Sequence, residues 1–190
     1  MSAGEVRLPG GVSRGRGLPT SAKFFRLEHL RQLRGSEQVA AVCYRVRKSG
    51  IEFLLVKTRS GRWTFPKGSA EPGLTHAQAA ALEAFEEAGV HGRIEEASFT
   101  RYVRRKKSLD AAFVETVVHV HLCEVLWLNP PQEAGRNPTW FSVEKAKRRL
   151  VEDRSAEFGA ELVRVVETAV SRILRVSAQR SGAKTAGKRP

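Results

Sequence analysis

Short apolar runs alternate with polar turns along the central part of the chain. Residues 39–46 and 51–56 are two such runs, and the Lys-Ser-Gly turn at 48–50 between them predicts a β-hairpin. A longer run at 113–126 is rich in β-branched residues and predicts an extended strand. The pattern therefore predicts that this part of the chain forms a sheet.

Three further segments have the pattern of helices. Residues 75–89 contain no proline, are dense in alanine and end in glycine, which is typical of a helix with a glycine cap. Residues 142–150 and about 155–174 predict two more helices. Because strands and helices interleave along the chain, we predict one layered α/β domain, which we place at residues 36–175.

The two ends of the chain differ from this domain in composition. The 190 residues carry a formal net charge of +13, and residues 1–35 and 176–190 together contribute +9 of it. Both segments are basic and poor in apolar residues, so we expect largely disordered tails. The tails either serve solubility or attract nucleic acid without sequence specificity, and the sequence leaves both interpretations open.

The chain carries no sign of membrane insertion or secretion. No stretch approaches the roughly 20 apolar residues that span a bilayer, and Met1 is not followed by an apolar signal core. Cys43 and Cys123 lie far apart within apolar runs, which favours reduced core residues over a zinc site or a disulfide. We therefore expect a cytoplasmic protein that has no membrane partner.

Three glutamates lie together within the helix predicted at residues 75–89. At about 100° per residue, Glu83, Glu86 and Glu87 fall on the side opposite the apolar stripe. Like charges at this spacing repel, so the group is either a solvated acidic face or a cation site. The glycine-bearing turn at residues 63–73 favours the cation site, because it can present backbone carbonyls to a metal. Such oxygen ligands suit Mg²⁺ or Mn²⁺, which commonly bridge to substrate phosphates.

The segment at residues 68–90 resembles the Nudix box. That pattern is Gly, five residues, Glu, seven residues, Arg-Glu, an apolar residue, any residue, Glu-Glu, any residue, Gly and an apolar residue. The positions that match are Gly68, Glu83, Glu86, Glu87, Gly89 and Val90. Leu74 stands where the pattern has Glu, and Leu82 stands where it has Arg. The likeness covers about residues 36–175 and implies a Nudix α/β/α sandwich with a mixed β-sheet.

The resemblance also implies a chemistry for the glutamates. It implies that the Gly68 carbonyl, Glu83, Glu86 and Glu87 bind a divalent metal. It implies further that Glu83 and Glu87 are catalytic, with Glu83 orienting or deprotonating the attacking water. The metal would clamp phosphate oxygens and lower the pKa of a bound water, so the implied reaction is hydrolysis of a phosphoanhydride.

The two departures from the pattern bear on activity. In the family, the missing Glu and Arg help to hold the loop and the helix together. A pair of Leu74 and Leu82 could replace that ionic contact with an apolar one. A non-catalytic Nudix-fold protein that binds a ligand or nucleic acid is therefore an alternative to an enzyme, since function is judged by the site and not by the fold.

Basic residues are dense around the expected mouth of the site. Lysine ammonium groups and arginine guanidinium groups are how proteins bind phosphates, and few aromatic residues accompany them here. This balance favours a polyphosphorylated small molecule as substrate. The residues that we expect to bind it are Arg47, Lys57, Arg59, Arg62, Lys67, Arg104, Arg105 and Lys106.

Two groups within the family share local sequence with this chain. Residues 39–45, 62–63 and 83–92 look like diphosphoinositol polyphosphate phosphohydrolases. Residues 65–68 and 71–73 look more like dinucleoside tetraphosphate hydrolases. We therefore expect metal-dependent hydrolysis of a diphosphoinositol polyphosphate or a dinucleoside polyphosphate, with hydrolysis of ADP-ribose or a nucleotide sugar as an alternative.

Histidines and one further glutamate lie outside this constellation. Glu115, His119 and His121 alternate onto one face of the long predicted strand, where a structural role is favoured for the histidines. Glu115 is an alternative general base. His76 falls in the first turn of the predicted helix, and we expect it to be exposed.

Overall fold

The computed structural model describes residues 37–107 and 113–186. Within these ranges the side chains are described except at 106, 107, 113, 114 and 180–186. The N-terminal tail expected at residues 1–35 lies outside the described residues. Residues 187–190 of the expected C-terminal tail lie outside them as well.

Eight strands within residues 37–107 and 113–186 form one mixed sheet. They are β1 (Glu37–Arg47), β2 (Gly50–Lys57), β3 (Trp63–Thr64), β4 (Lys67–Ser69), β5 (Val90–Ile94), β6 (Thr100–Lys107), β7 (Phe113–Leu128) and β8 (Thr139–Ser142). The sheet runs β3, β2, β1, β7, β5, with β4 paired to β1, β6 to β7 and β8 to β2. The β1–β7 pair is parallel and the other pairs are antiparallel. The expected mixed sheet is therefore confirmed.

Three described helices cover the two faces of this sheet, and they are α1 (His76–Ala88), α2 (Val143–Val151) and α3 (Ala156–Ala186). On β1, Val39 and Ala41 belong to a buried cluster with the alanines of α1. The alternate residues Ala40 and Val42 belong to a second buried cluster with residues of α2 and α3. A strand covered on both faces is apolar on both, which is why β1 reads as a continuous hydrophobic run. The predicted α/β/α sandwich is confirmed.

Helix α1 begins and ends where the sequence predicts. Thr75 caps its N-terminus in a capping box with Gln78, and Gly89 ends it in the left-handed conformation at φ 64°. Ala80, Ala84 and other alanines of the helix are fully buried against the sheet. Small side chains let the helix backbone lie close to β1, which fixes the distance from the helix to the strands beneath it.

Helix α3 is longer than its sequence pattern predicts. Ile173 is the last fully buried residue among the helix side chains that the structure describes, and the helix continues to Ala186. The boundary expected at residue 175 therefore falls inside a helix, and most of the expected tail at 176–190 is helical. The change to polar residues marks where α3 leaves the core, while alanine, arginine and lysine still permit a helix in solvent. None of the described helices is both long and apolar enough to cross a membrane.

Candidate functional site

The carboxylate of Glu83 lies against the backbone of Gly68. Gly68 is in β4, opposite Val39 of β1. A Cβ atom built on Gly68 would lie 1.7 Å from Oε1 of Glu83 and 2.5 Å from its Oε2. A side chain at position 68 would therefore displace the Glu83 carboxylate from its present position. The structure brings together two of the residues that the sequence predicts as metal ligands.

Glu87 is the most buried member of the group, with 3% of its surface exposed. Its Oε1 lies 2.6 Å from Nη2 of Arg136. Its Oε2 accepts a hydrogen bond of 3.2 Å from the backbone N–H of Lys67. Glu87 thus connects α1 to β4 and to the loop at residues 129–138. Each of its oxygens keeps a second lone pair that is available to a metal.

The loop at residues 129–138 closes onto the C-terminal half of α1. The backbone N–H groups of Gln132 and Glu133 donate to the carbonyl of Glu86, at 2.9 and 3.0 Å. Arg136 also pairs with Glu133 at 2.6 Å, and its carbonyl accepts from the N–H of Lys57 at 2.6 Å. Arg136 and Glu133 are not predicted from the sequence, because a turn-rich loop has no spacing that ties its side chains to a helix.

Negative charge is in excess around Glu83. Burial, together with the nearby carboxylates of Glu87, Glu86 and Glu133, raises the pKa of Glu83 to about 7, against the smaller opposing effect of Lys67. Burial also raises the pKa of Glu87, against the opposing effect of Arg136. A bound cation would relieve both the desolvation of these acids and their mutual repulsion.

The residues present fit a hard divalent cation. Glu83, Glu86 and Glu87 offer carboxylate oxygens from one half of α1, and the Glu83 carboxylate fills the space that Gly68 leaves open. Oxygen donors of this kind are the ligands that Mg²⁺ and Mn²⁺ prefer. Among the described residues, however, these three glutamates do not place ligand atoms all within 4.8 Å of one another, so their side chains must turn towards an ion to bind it together.

Lysine and arginine side chains line a cavity beside these acids. Lys57, Arg59 and Arg136 lie on the wall of a cavity of about 510 Å³, together with Glu133. Arg136 joins this cavity to the glutamates, because it also contacts Glu87. Two of the predicted phosphate-binding residues, Lys57 and Arg59, are thus on a cavity that adjoins the carboxylates.

Lys67 and Arg104 belong to the same neighbourhood. Burial lowers the pKa of Lys67, and Arg104 on β6 lowers it further. Arg136 also lowers it, whereas Glu87 and Glu83 act in the opposite direction. These two predicted substrate-binding residues therefore add positive charge next to the glutamates.

Three other predicted cations are directed elsewhere or are not described. Arg62 donates to Oγ of Ser60 and to the carbonyl of Asp153. Arg105 pairs at 2.7 Å with Glu115, so the alternative general base is bonded to a cation on an exposed part of the sheet. Lys106 is in β6, and its side chain lies outside the described part of the chain.

A second cavity, of about 400 Å³, has aromatic walls. Arg47 lines it together with Arg45, Trp127 and Trp140. The Arg45 guanidinium lies 4.1 Å from the centre of the Trp140 ring. Trp127 stacks on His91 at 4.9 Å and is still 56% exposed. The indole of Trp127 therefore has a face available to a planar ligand.

The two departures from the box lie on the surface. Leu74 is 41% exposed and Leu82 is 37% exposed, and neither belongs to a buried cluster. They do not replace the missing ionic contact with buried apolar packing. In this chain Arg136 supplies a guanidinium to Glu87 from a different loop, which holds the helix to its surroundings.

Comparison with known proteins gives consistent results. A family model described as NUDIX domain matches residues 36–162. A C. elegans Ap4A hydrolase, solved as a binary complex, is 25% identical with a TM-score of 0.52, over 74% of this chain and 98% of that chain. The NUDIX domain of Shewanella oneidensis NrtR, complexed with ADP ribose, is 18% identical with a TM-score of 0.54, over 73% and 88% of the two chains. A Listeria monocytogenes protein described as a NUDIX hydrolase is 15% identical with a TM-score of 0.53, over 73% and 94%. The last two likenesses support the fold alone.

Proposed function

The chain belongs to the Nudix family and is a phosphoanhydride hydrolase, and on that premise we propose that it cleaves a dinucleoside polyphosphate with the help of Mg²⁺ or Mn²⁺. The observation that carries this proposal is the contact of Arg136 with Glu87 at the wall of the cationic cavity. Because Arg136 lines the cavity and also contacts Glu87, a chain of phosphates bound by Lys57 and Arg59 would extend to the glutamates. The main feature that we infer for the substrate is therefore its chain of phosphates.

Glu83 is the residue that we assign to the attacking water. Its pKa of about 7 in the metal-free protein makes its carboxylate a proton acceptor near neutral pH. Divalent metal on the glutamates would neutralise phosphate charge and acidify a water molecule. Lys67, whose backbone N–H donates to Glu87, is assigned to a phosphate oxygen. Arg136 holds the Glu87 carboxylate in position from the adjoining loop.

The aromatic cavity favours a nucleotide over an inositol. A nucleobase is planar and can stack on the exposed face of Trp127, and base stacking on aromatic rings contributes about 1–3 kcal/mol per base in nucleic-acid-binding proteins. The similar C. elegans protein is an Ap4A hydrolase, which supports the same choice. Diphosphoinositol polyphosphate is the second candidate, because the cationic cavity alone suits a cluster of phosphates.

The experiment compares hydrolysis of three substrates with Mg²⁺ present: diadenosine tetraphosphate, a diphosphoinositol polyphosphate and ADP-ribose. We expect the highest kcat/KM for the dinucleoside, and loss of turnover in Glu83→Gln, which removes charge and keeps size. Glu144→Gln is the matched control, since Glu144 is an exposed glutamate on α2. Faster cleavage of ADP-ribose would contradict the proposed substrate, and full activity of Glu83→Gln would contradict the proposed role of Glu83.

A further inference from the structure

A second cluster of metal-ligating side chains lies at the N-terminal end of α1. Glu37 begins β1, His76 begins α1, and His119 is in the middle of β7. Each residue directs one ligand atom to the cluster, and these atoms all lie within 4.8 Å of one another. We propose that Glu37, His76 and His119 form a binding site for Zn²⁺ or a similar transition metal, separate from the glutamates of α1.

The distances within the cluster suit a small tetrahedral ion. Nε2 of His76 lies 3.4 Å from one carboxylate oxygen of Glu37, and Nε2 of His119 lies 3.8 Å from the other. Zinc bonds of about 2.0–2.1 Å in a tetrahedron place ligand atoms about 3.3–3.4 Å apart. The three ligand atoms, which all lie within 4.8 Å of one another, therefore need to draw together by at most about 1.5 Å to ligate one ion.

The imidazole rings of His76 and His119 lie next to each other. Their ring centres are 4.4 Å apart and the rings are inclined by 34°. The side chains of Glu37, His76 and His119 are 53%, 36% and 20% exposed, so an ion can enter and water can fill a fourth position. Three protein ligands and one open position are the arrangement of many zinc sites.

The ligand types separate this cluster from the glutamates. Imidazole nitrogen suits Zn²⁺, Co²⁺, Ni²⁺ and Cu²⁺, whereas carboxylate groups alone suit Mg²⁺ and Mn²⁺. His76 precedes Glu83 by seven residues, which is about 10 Å along a helix and returns to the same face within about 20°. One face of α1 thus carries both ligand groups, at a separation that no single ion can bridge.

A metal in this cluster would connect three elements that are distant in sequence. The unfolded chain does not hold residues 37, 76 and 119 together, so ion binding favours the folded state. We therefore expect Zn²⁺ to raise the melting temperature in a concentration-dependent manner. This expectation concerns binding and stability, and it does not depend on which phosphoanhydride the protein cleaves.

The test is calorimetric titration of the full chain with Zn²⁺ in the presence of excess Mg²⁺, which occupies the glutamates. We expect one saturable zinc site. Its affinity for zinc should be at least about tenfold lower in His76→Ala and in Glu37→Gln, because each substitution removes a ligand. His91→Ala is the matched control, because His91 stacks on Trp127 away from the cluster. Glu86→Gln is the second control, and it should leave zinc binding unchanged.

A Co²⁺ titration followed by visible absorption identifies the ligands. A four- or five-coordinate Co²⁺ with imidazole ligands absorbs strongly, and we expect this signal in the wild type and in His91→Ala but not in His76→Ala. Circular dichroism checks that each variant is folded, and Glu37→Gln provides an exposed alternative should His76→Ala be unstable. Equal zinc affinity of the wild type and both cluster variants, or no zinc site in excess Mg²⁺, would overturn the proposal.

Discussion

The two ends of helix α1 make different use of acidic and basic groups. At the C-terminal half, three glutamates lie near Glu133, and burial together with mutual repulsion raises the pKa of Glu83 to about 7. At the N-terminal end, one exposed carboxylate, Glu37, lies between two imidazoles. The first group requires a hard cation to balance its charge, and the second offers nitrogen ligands with one negative charge.

The supporting structure also differs between the two ends. Around Glu87, the backbone of β4 and Arg136 of the 129–138 loop fix the carboxylate from two sides. Around Glu37, the ion pairs of the carboxylate within the described residues are those with His76 and His119. Preorganisation is what a reacting geometry requires, whereas a binding site tolerates small rearrangement. The comparison teaches that the rigid end of α1 is the one suited to catalysis.

Gly68→Ala is the change that should separate the two ends most clearly. The added methyl group must displace the Glu83 carboxylate, which lies where the methyl would be. We expect kcat to fall by at least about 100-fold, since a misplacement of about 1 Å has that effect in other enzymes. Zinc binding at the N-terminal end should be unchanged. Ser69→Ala, on the same strand, is the control, and similar kcat values for the two variants would show that Gly68 does not position Glu83.

Arg136→Met should lower stability without a large change in side-chain volume. It leaves Glu87, which is 3% exposed, without its ion pair, and we expect a loss of about 2 kcal/mol in the free energy of unfolding, below the roughly 3–5 kcal/mol for fully buried pairs because Arg136 is partly exposed. Urea denaturation measures the effect.

A double-mutant cycle isolates this ion pair from other losses. Glu87→Gln in the Arg136→Met background should recover part of the stability, because it removes the uncompensated charge. Additive effects of the two substitutions would show that the ion pair does not hold the loop onto α1.

The strands β1 and β2 and helix α1 were predicted because their sequence signals are local. The strands are short apolar runs around a turn, the helix is dense in alanine, and Gly89 marks its end. The glutamates were found because helical spacing places them on one side and because their spacing from Gly68 resembles a known box.

The other parts of the two sites depend on contacts that spacing does not encode. Arg136 reaches Glu87 across 49 positions of sequence, and the metal-ligating cluster joins residues 37, 76 and 119. His76 and His119 gave no signal alone, since a single histidine on a helix or a strand is usually structural. The end of α3 was missed because the loss of a buried face does not stop a helix.

The pH dependence of stability tests the raised pKa of Glu83 at the C-terminal half of α1. The pKa of Glu83 is about 7 in the folded protein and 4.5 as its reference value, so the folded state binds more protons than the unfolded state between these pH values. For this group, stability of the metal-free protein therefore rises as pH falls from 8 to 5. Glu83→Gln should remove this rise, with a gain on the order of 1 kcal/mol at pH 8 after allowance for solvent screening.

Thermal unfolding in a chelating buffer at pH 5 to 8 measures this effect. Glu144→Gln is again the control, because Glu144 is an exposed glutamate on the surface. Parallel pH profiles for the wild type and Glu83→Gln would contradict the assignment of the raised pKa to Glu83.

The smallest expected effect concerns Arg59 and Arg105, which the sequence alone predicts equally as substrate-binding residues. Arg59 lies on the cationic cavity beside Arg136, whereas Arg105 is paired with Glu115 on an exposed part of the sheet. Arg59→Ala should raise KM by about 3–10-fold with little change in kcat, because a phosphate contact away from the scissile bond acts on ground and transition states alike. Arg105→Ala should change KM by less than about twofold, since exposed ion pairs contribute about 0–1 kcal/mol and this one is already satisfied within the protein.

Steady-state kinetics on diadenosine tetraphosphate at low ionic strength compares the two variants. A larger KM effect for Arg105→Ala than for Arg59→Ala would place the phosphates on β6 and not in the cavity beside α1.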